Sequence, residues 1–201
     1  CYDEHGAVLI EGLYTEEQLN GIERFFEDFK NGKALFDGGE HYTEATKSQR
    51  QVRALQPHRF SERAKAWFLE PRVASALEVC LERPPLGAQT MYYYKPPGAK
   101  GQAMHQDNHP LAAAPAACIA AWTPIDDADE ENGCLRVALG SHRLPLLCPE
   151  GKLAKSPRGY GESHISHFPR EHKPVAIPVK RGQTLLFHGH TIHGSGPNRS
   201  K

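Results

Sequence analysis

The chain has 201 residues, 24% charged and 39% hydrophobic, and 24 Lys and Arg offset 24 Asp and Glu to a formal net charge of zero. A neutral chain offers no surplus field to draw nucleic acid or an anionic membrane, so neither is expected as a partner. The length suits one domain with a real core, and no apolar run approaches the roughly 18–20 residues needed to span a bilayer.

Residues 5–13 (HGAVLIEGL) read as a strand bounded by Gly6 and Gly12. Thr15 followed three residues later by Gln18 is a capping box, and it predicts a helix whose apolar face carries Leu19, Ile22, Phe26 and Phe29. Asn31-Gly32 stops that helix, and the polar stretch 37–52 is expected to be a mobile loop. Ser61 can cap a short helix bearing Trp67 and Phe68. Pro71 suits the first turn of another helix, with Val73, Ala76, Leu77, Cys80 and Leu81 on its apolar face and Pro84-Pro85 at its end.

From residue 86 the texture changes to short apolar or aromatic runs between Gly, Pro and Asn: 88–95, 117–124, 134–138, 174–179 and 184–188. Such spacing predicts many antiparallel strands, as in a sandwich or jelly roll. Asn132-Gly133 marks a tight turn. The long polar segment 142–173 is expected to act as a lid. The fold class expected is mainly β with flanking helices. A single domain over 1–201 would place helical support at about 1–85 and a double-stranded β-helix (jelly roll, cupin-like) core at about 86–201.

The cysteines are Cys1, Cys80, Cys118, Cys134 and Cys148, an odd count with no CxxC spacing. Reduced thiols in a cytoplasmic protein are the expectation, rather than a disulfide framework or a zinc knuckle.

Histidine is abundant, at 12 residues. His105-Gln106-Asp107 is an H-x-D triplet at the end of a β-like stretch. Side chains at i and i+2 of a strand share a face, so this imidazole and carboxylate can grip one ion. A third ligand must come from elsewhere, and His188, His190 and His193 are the candidates. Two histidines and one carboxylate on one side of an ion form the facial triad of non-haem iron(II) oxygenases, which leaves positions open for a chelating cosubstrate and O₂.

Several blocks, in order, resemble the phytanoyl-CoA dioxygenase family of iron(II)/2-oxoglutarate oxygenases. They are HGAVLIEGLYTEEQL, YYYKPPG, MHQD, AWTPIDDADEENGCLRVALGSHR and RGQTLLFHGHTIHGSGPNRS. The resemblance implies that His193 is the distal ligand, completing a catalytic metal set of His105, Asp107 and His193. It implies Fe(II), 2-oxoglutarate and O₂ as cofactors and cosubstrates, with Ser195, Lys95 and Trp122 lining the cosubstrate pocket. Asp126, Asn132 and Gly133 are expected to shape a turn beside it. The family also carries an arginine somewhat beyond the distal histidine. Here the sequence stops at Lys201, so either a truncation or substitution by Arg199 or Lys201 is expected.

The activity implied is oxidation, chiefly hydroxylation, of a small-molecule substrate. A carboxylate at Asp107 argues against halogenation. Gln106, Asn108, His109, Arg143, Arg158 and His164 are candidate substrate-facing residues. Two other functions compete: a zinc metallohydrolase using the 188–193 histidines, and a metal-binding jelly roll without catalysis.

Overall fold

A computed structural model describes residues 2–31, 53–111, 113, 118–147, 165 and 169–201. In chain order these form α1 (Tyr2–His5), β1 (Ala7–Ile10), α2 (Glu16–Lys30), β2 (Arg53–Leu55), α3 (Glu62–Phe68), α4 (Pro71–Leu81), β3 (Met91–Tyr93) and α5 (Asn108–Leu111). Then follow β4 (Ile119–Trp122), β5 (Leu135–Val137), β6 (Val175–Ile177), β7 (Thr184–His188) and β8 (His193–Ser195). The expected loop over 37–52 lies outside the described residues, as do Cys1, Cys148 and most of the expected lid, with Arg158 and His164. No described helix is long and apolar enough to cross a membrane.

The chain divides into two compact units, Gly12–Pro96 and Cys1–Glu11 with Pro97–Lys201. In the first, the capping box forms as read: the Thr15 hydroxyl accepts the Gln18 N–H, and the Gln18 side chain accepts the Thr15 N–H. Leu19, Ile22, Phe25, Phe26 and Phe29 make the buried face of α2. Phe26 stacks on Tyr92 at 3.9 Å, and Phe25 meets Trp67 edge-on at 5.5 Å. Each such side chain, fully buried, contributes about 1.5–3 kcal/mol. Ser61 caps α3 through the Ala64 N–H, and Pro71 opens α4. The run at 88–95 contributes only the short β3, which pairs with β2. β2 sits next to a polar stretch and gave no signal in the sequence.

The second unit holds two three-stranded antiparallel sheets, ordered β1-β7-β4 and β6-β5-β8. The expected strand over 5–13 is confined to Ala7–Ile10, because Gly6 takes a positive φ of 71° and ends the turn of α1. Alternation along the strands turns Leu185 and Phe187 of β7 and Leu135 and Val137 of β5 into one shared core with Ala7. Ala120, Trp122 and Ile177 pack against that core. The Asn132-Gly133 turn forms, with the Asp129 carboxylate accepting the N–H groups of Glu131 and Asn132, and with Gly133 at φ 86°.

Candidate metal centre

His105 and His193 face each other across a single antiparallel bridge. The His105 N–H donates to the His193 carbonyl at 2.8 Å, and the His193 N–H donates back to the His105 carbonyl at 3.0 Å. His105 therefore lies on an isolated rung rather than in a regular strand. Two residues on, Asp107 directly precedes the short helix α5 and its carbonyl accepts the Leu111 N–H. On β8, His193 lies opposite Val137 and Ser195 opposite Leu135, so both ride the core-facing side of the sheet.

The three side chains converge. Asp107 Oδ1 lies 3.3 Å from His105 Nε2 and 3.6 Å from His193 Nε2. One ligand atom from each residue lies within 4.8 Å of the others. Two ligands held at right angles about 2.1 Å from one ion sit about 3 Å apart, so these spacings suit a single cation. Both imidazoles are oriented the same way by the backbone two residues before them. His105 Nδ1 meets the Ala103 carbonyl at 2.8 Å, and His193 Nδ1 meets the Thr191 carbonyl at 2.9 Å. With each Nδ1–H committed to a carbonyl, each Nε2 lone pair is directed to the shared point.

Electrostatics favour the ligating forms of His193 and Asp107, whereas in the metal-free site they favour the protonated form of His105. Burial pushes the His193 imidazole down to about 4, with the Asp107 charge opposing, so it is neutral at neutral pH. At His105, burial also acts to lower the pKa, but the hydrogen bonds to Asp107 and to the Ala103 carbonyl outweigh it and the net shift is upward. Burial would raise Asp107, yet the His105 hydrogen bond and the two imidazole charges hold it below the usual carboxylate range.

The other histidines of the 188–193 cluster are placed elsewhere. Phe187 faces the core, so the next residue on β7, His188, turns to the opposite face, where its Nδ1 accepts the His190 N–H. His190 Nε2 pairs with the Asn108 carboxamide at 3.0 Å. Among the described residues, His188, His190 and His193 do not form a converging set of three.

The remaining candidates are spread over both units. Lys95 is half-buried in the Gly12–Pro96 unit. Trp122 ends β4 against the inter-sheet core. The Ser195 hydroxyl accepts the Gln102 N–H at 3.1 Å. Arg199 is exposed, and its N–H donates to the Glu131 carbonyl. Asp126 is exposed, and His109 is half-buried. Gln106 is fully enclosed: its amide donates to the His190 and Pro145 carbonyls, and its oxygen accepts the Leu147 N–H. The Asn108 side chain is buried and bonded to His190 and Ala113. Arg143 reaches the Asp3 carbonyl. Sequence reading missed Gln102, whose carboxamide nitrogen stands 3.2 Å from His105 Nε2. A Gln three residues before a ligand has no distinguishing spacing in the sequence.

Two antiparallel sheets presenting a His-Asp-His set able to hold one metal ion define the class: a two-sheet β protein with a candidate metal centre at one end of β8. The chain belongs to the phytanoyl-CoA dioxygenase (PhyH) family, whose profile matches residues 2–201. It is 27% identical over 216 residues to the peroxisomal phytanoyl-CoA dioxygenase of Bos taurus, covering 100% of this chain and 63% of that protein. It is 29% identical over 189 residues to the phytanoyl-CoA dioxygenase of Arabidopsis thaliana, covering 93% of this chain and 64% of that one. The chain thus spans less than two thirds of the length of these relatives. In fold it is similar to EctD from S. alaskensis in its apoform, with a TM-score of 0.77 at 20% identity over 99% of this chain and 70% of that one. It is also similar to the epimerase SnoN in complex with Fe3+, alpha ketoglutarate and nogalamycin RO, with a TM-score of 0.72 at 18% identity over 99% and 75%.

Proposed function

We propose that this chain is the oxygenase core of an Fe(II)- and 2-oxoglutarate-dependent dioxygenase that oxidises, most simply by hydroxylation, a small-molecule substrate. One observation carries the reading: two imidazoles and one carboxylate from positions 88 residues apart meet at one point, with both Nε2 atoms turned inward. Family membership and the likeness to EctD and SnoN support it. His105, Asp107 and His193 would hold the iron from one side. When bound, the iron supplies the oxidative decarboxylation of 2-oxoglutarate to succinate and CO₂ in the presence of O₂, coupled to oxidation of the substrate.

The chain's own residues supply placement. The Ala103 and Thr191 carbonyls fix the imidazole tautomers, and the mutual bridge between His105 and His193 fixes their separation. Ser195, on the same sheet face as His193, is assigned to the distal carboxylate of 2-oxoglutarate. Trp122 is assigned to the pocket wall, and Lys95 and Arg199 to the charge that a buried dicarboxylate requires. The two-sheet unit is read as a double-stranded β-helix, within a single oxygenase domain. Cys80, Cys118 and Cys134 stand outside any disulfide among the described residues, in keeping with a reducing, cytoplasmic setting.

The test is anaerobic loading with Fe(II), then 2-oxoglutarate, followed by O₂. A weak visible charge-transfer band and succinate release are expected. Iron binding with neither signal would identify a metal-binding protein without this activity. Hydrolysis supported by zinc alone would identify a metallohydrolase.

A further inference from the structure

The His105 ligand atom is already engaged. Its Nδ1 faces the Ala103 carbonyl at 2.8 Å and so carries the proton of the neutral ring, which leaves Nε2, also 3.3 Å from Asp107 Oδ1, as an acceptor in that form. The Gln102 carboxamide nitrogen lies 3.2 Å from that Nε2 and donates to it when the ring is neutral. The lone pair a metal ion would need is thus held by a side chain of the same segment. The His193 Nε2 atom has no such neighbour described, so the arrangement is one-sided.

The backbone beneath Gln102 is fixed. Its N–H donates to the Ser195 hydroxyl at 3.1 Å and its carbonyl accepts the Ser195 N–H at 3.0 Å. A Cβ on Gly194 would stand 2.7 Å from that carbonyl, so the two segments touch closely. Gln102 as a residue is nonetheless exposed. A fixed root with a solvent-facing side chain can swing away from Nε2 without disturbing the bridge that positions the two histidines.

We propose that Gln102 is a positioning residue that competes with the metal ion for His105 Nε2, setting the affinity of the site below what its three ligands alone would give. The inference rests on the reading of His105, Asp107 and His193 as the metal ligands. Metal entry must break the Gln102–His105 hydrogen bond, and the carboxamide then turns to solvent. Removing the donor removes that competing state and favours the loaded form.

The experiment uses Co(II) as the probe, titrated anaerobically into the full chain and into Gln102→Ala, Gln102→Met and His105→Ala. Met keeps the length of Gln without a donor, so agreement between the two Gln102 variants separates loss of the hydrogen bond from loss of bulk. Both are expected to bind Co(II) about two- to tenfold tighter than the parent, the range a net hydrogen bond is worth. In the metal-free protein, ¹⁵N NMR of the imidazoles should show the His105 Nε2 resonance moving in both variants while that of His193 stays in place. Unchanged or weaker Co(II) binding in the two variants, with His105→Ala losing the site, would overturn the role of Gln102 alone. If His105→Ala binds Co(II) as the parent does, the metal-site reading falls and this inference with it.

Discussion

The backbones of His105 and His193 exchange two hydrogen bonds, 2.8 and 3.0 Å long, and their rings lie 4.3 Å apart between centroids. The pair is thus built as one rung, and the carboxylate of Asp107 reaches both rings from the same side. The ligand separation is set by main-chain geometry and not by side-chain packing alone.

His193→Ala should therefore lower divalent-metal affinity by at least about 100-fold, since it removes one of the three proposed ligands. His190→Ala removes a bond to Asn108 and an edge contact with the His188 ring, and should cost about 1 kcal/mol of stability while leaving metal affinity within a fewfold of the parent. Titration calorimetry with Co(II) or Mn(II) on both variants checks the order. The reverse order would move the distal ligand to His190.

Asp107→Asn removes the carboxylate that raises His105. The His105 pKa in the metal-free variant should fall, because burial is then opposed only by the Ala103 carbonyl. Imidazole chemical shifts followed against pH measure this directly. The same variant should lose coupled succinate formation, and full retention would remove Asp107 from the ligand set.

Metal-free stability should fall in acid. His193 has a folded pKa of about 4, below its ordinary 6.5, so the unfolded chain binds the extra proton first. Its contribution is complete above about pH 6.5 and declines as pH drops toward 4. Asp107, also held low, adds to the loss at lower pH. His105 is raised and acts in the opposite sense: its contribution is present below 6.5 and is lost as pH rises past its folded pKa. Urea unfolding at pH 7 and pH 4.5, compared with His193→Gln, should show a loss on the order of a few kcal/mol in the parent and less in the variant.

Gly194→Ala would put a methyl 2.7 Å from the Gln102 carbonyl oxygen and from the Met104 sulfur. The backbone contact cannot yield cheaply, so the two ligand-bearing segments must move apart. A loss of about 1–3 kcal/mol in stability is expected, with weakened metal binding alongside. Thermal melting with and without Co(II) reads both effects. Thr15→Ala serves as a contrast, costing about 0.5–2 kcal/mol through the lost helix cap while leaving the metal affinity alone.

Local signals were legible wherever one side chain answers one backbone group. The Thr15-Gln18 box, the Ser61 cap, Pro71 at the start of α4 and the Asn132-Gly133 turn all form where the residues indicate. Strand pairing was less legible. β2 and β8 are three residues each, too short for alternation to mark them, and β3 pairs with a segment that the sequence left unassigned. Gln106 and Asn108 read as substrate-facing or as solvated loop residues, yet both are buried, since a polar side chain announces that it needs a partner but not which one.

The sequence by itself determined the H-x-D pair, because residues two apart can face one ion whatever the rest of the chain does, and the ordered family blocks pointed to His193. Only the tertiary structure sets His193, rather than His188 or His190, beside His105 and Asp107. Alternation on β7 turns Phe187 inward and His188 away, Asn108 takes up His190, and the pairing of β8 with β5 and with the His105 rung carries His193 to Asp107. Such pairings join positions far apart in the chain, and their register depends on every strand between them, so no local pattern of residues contains them.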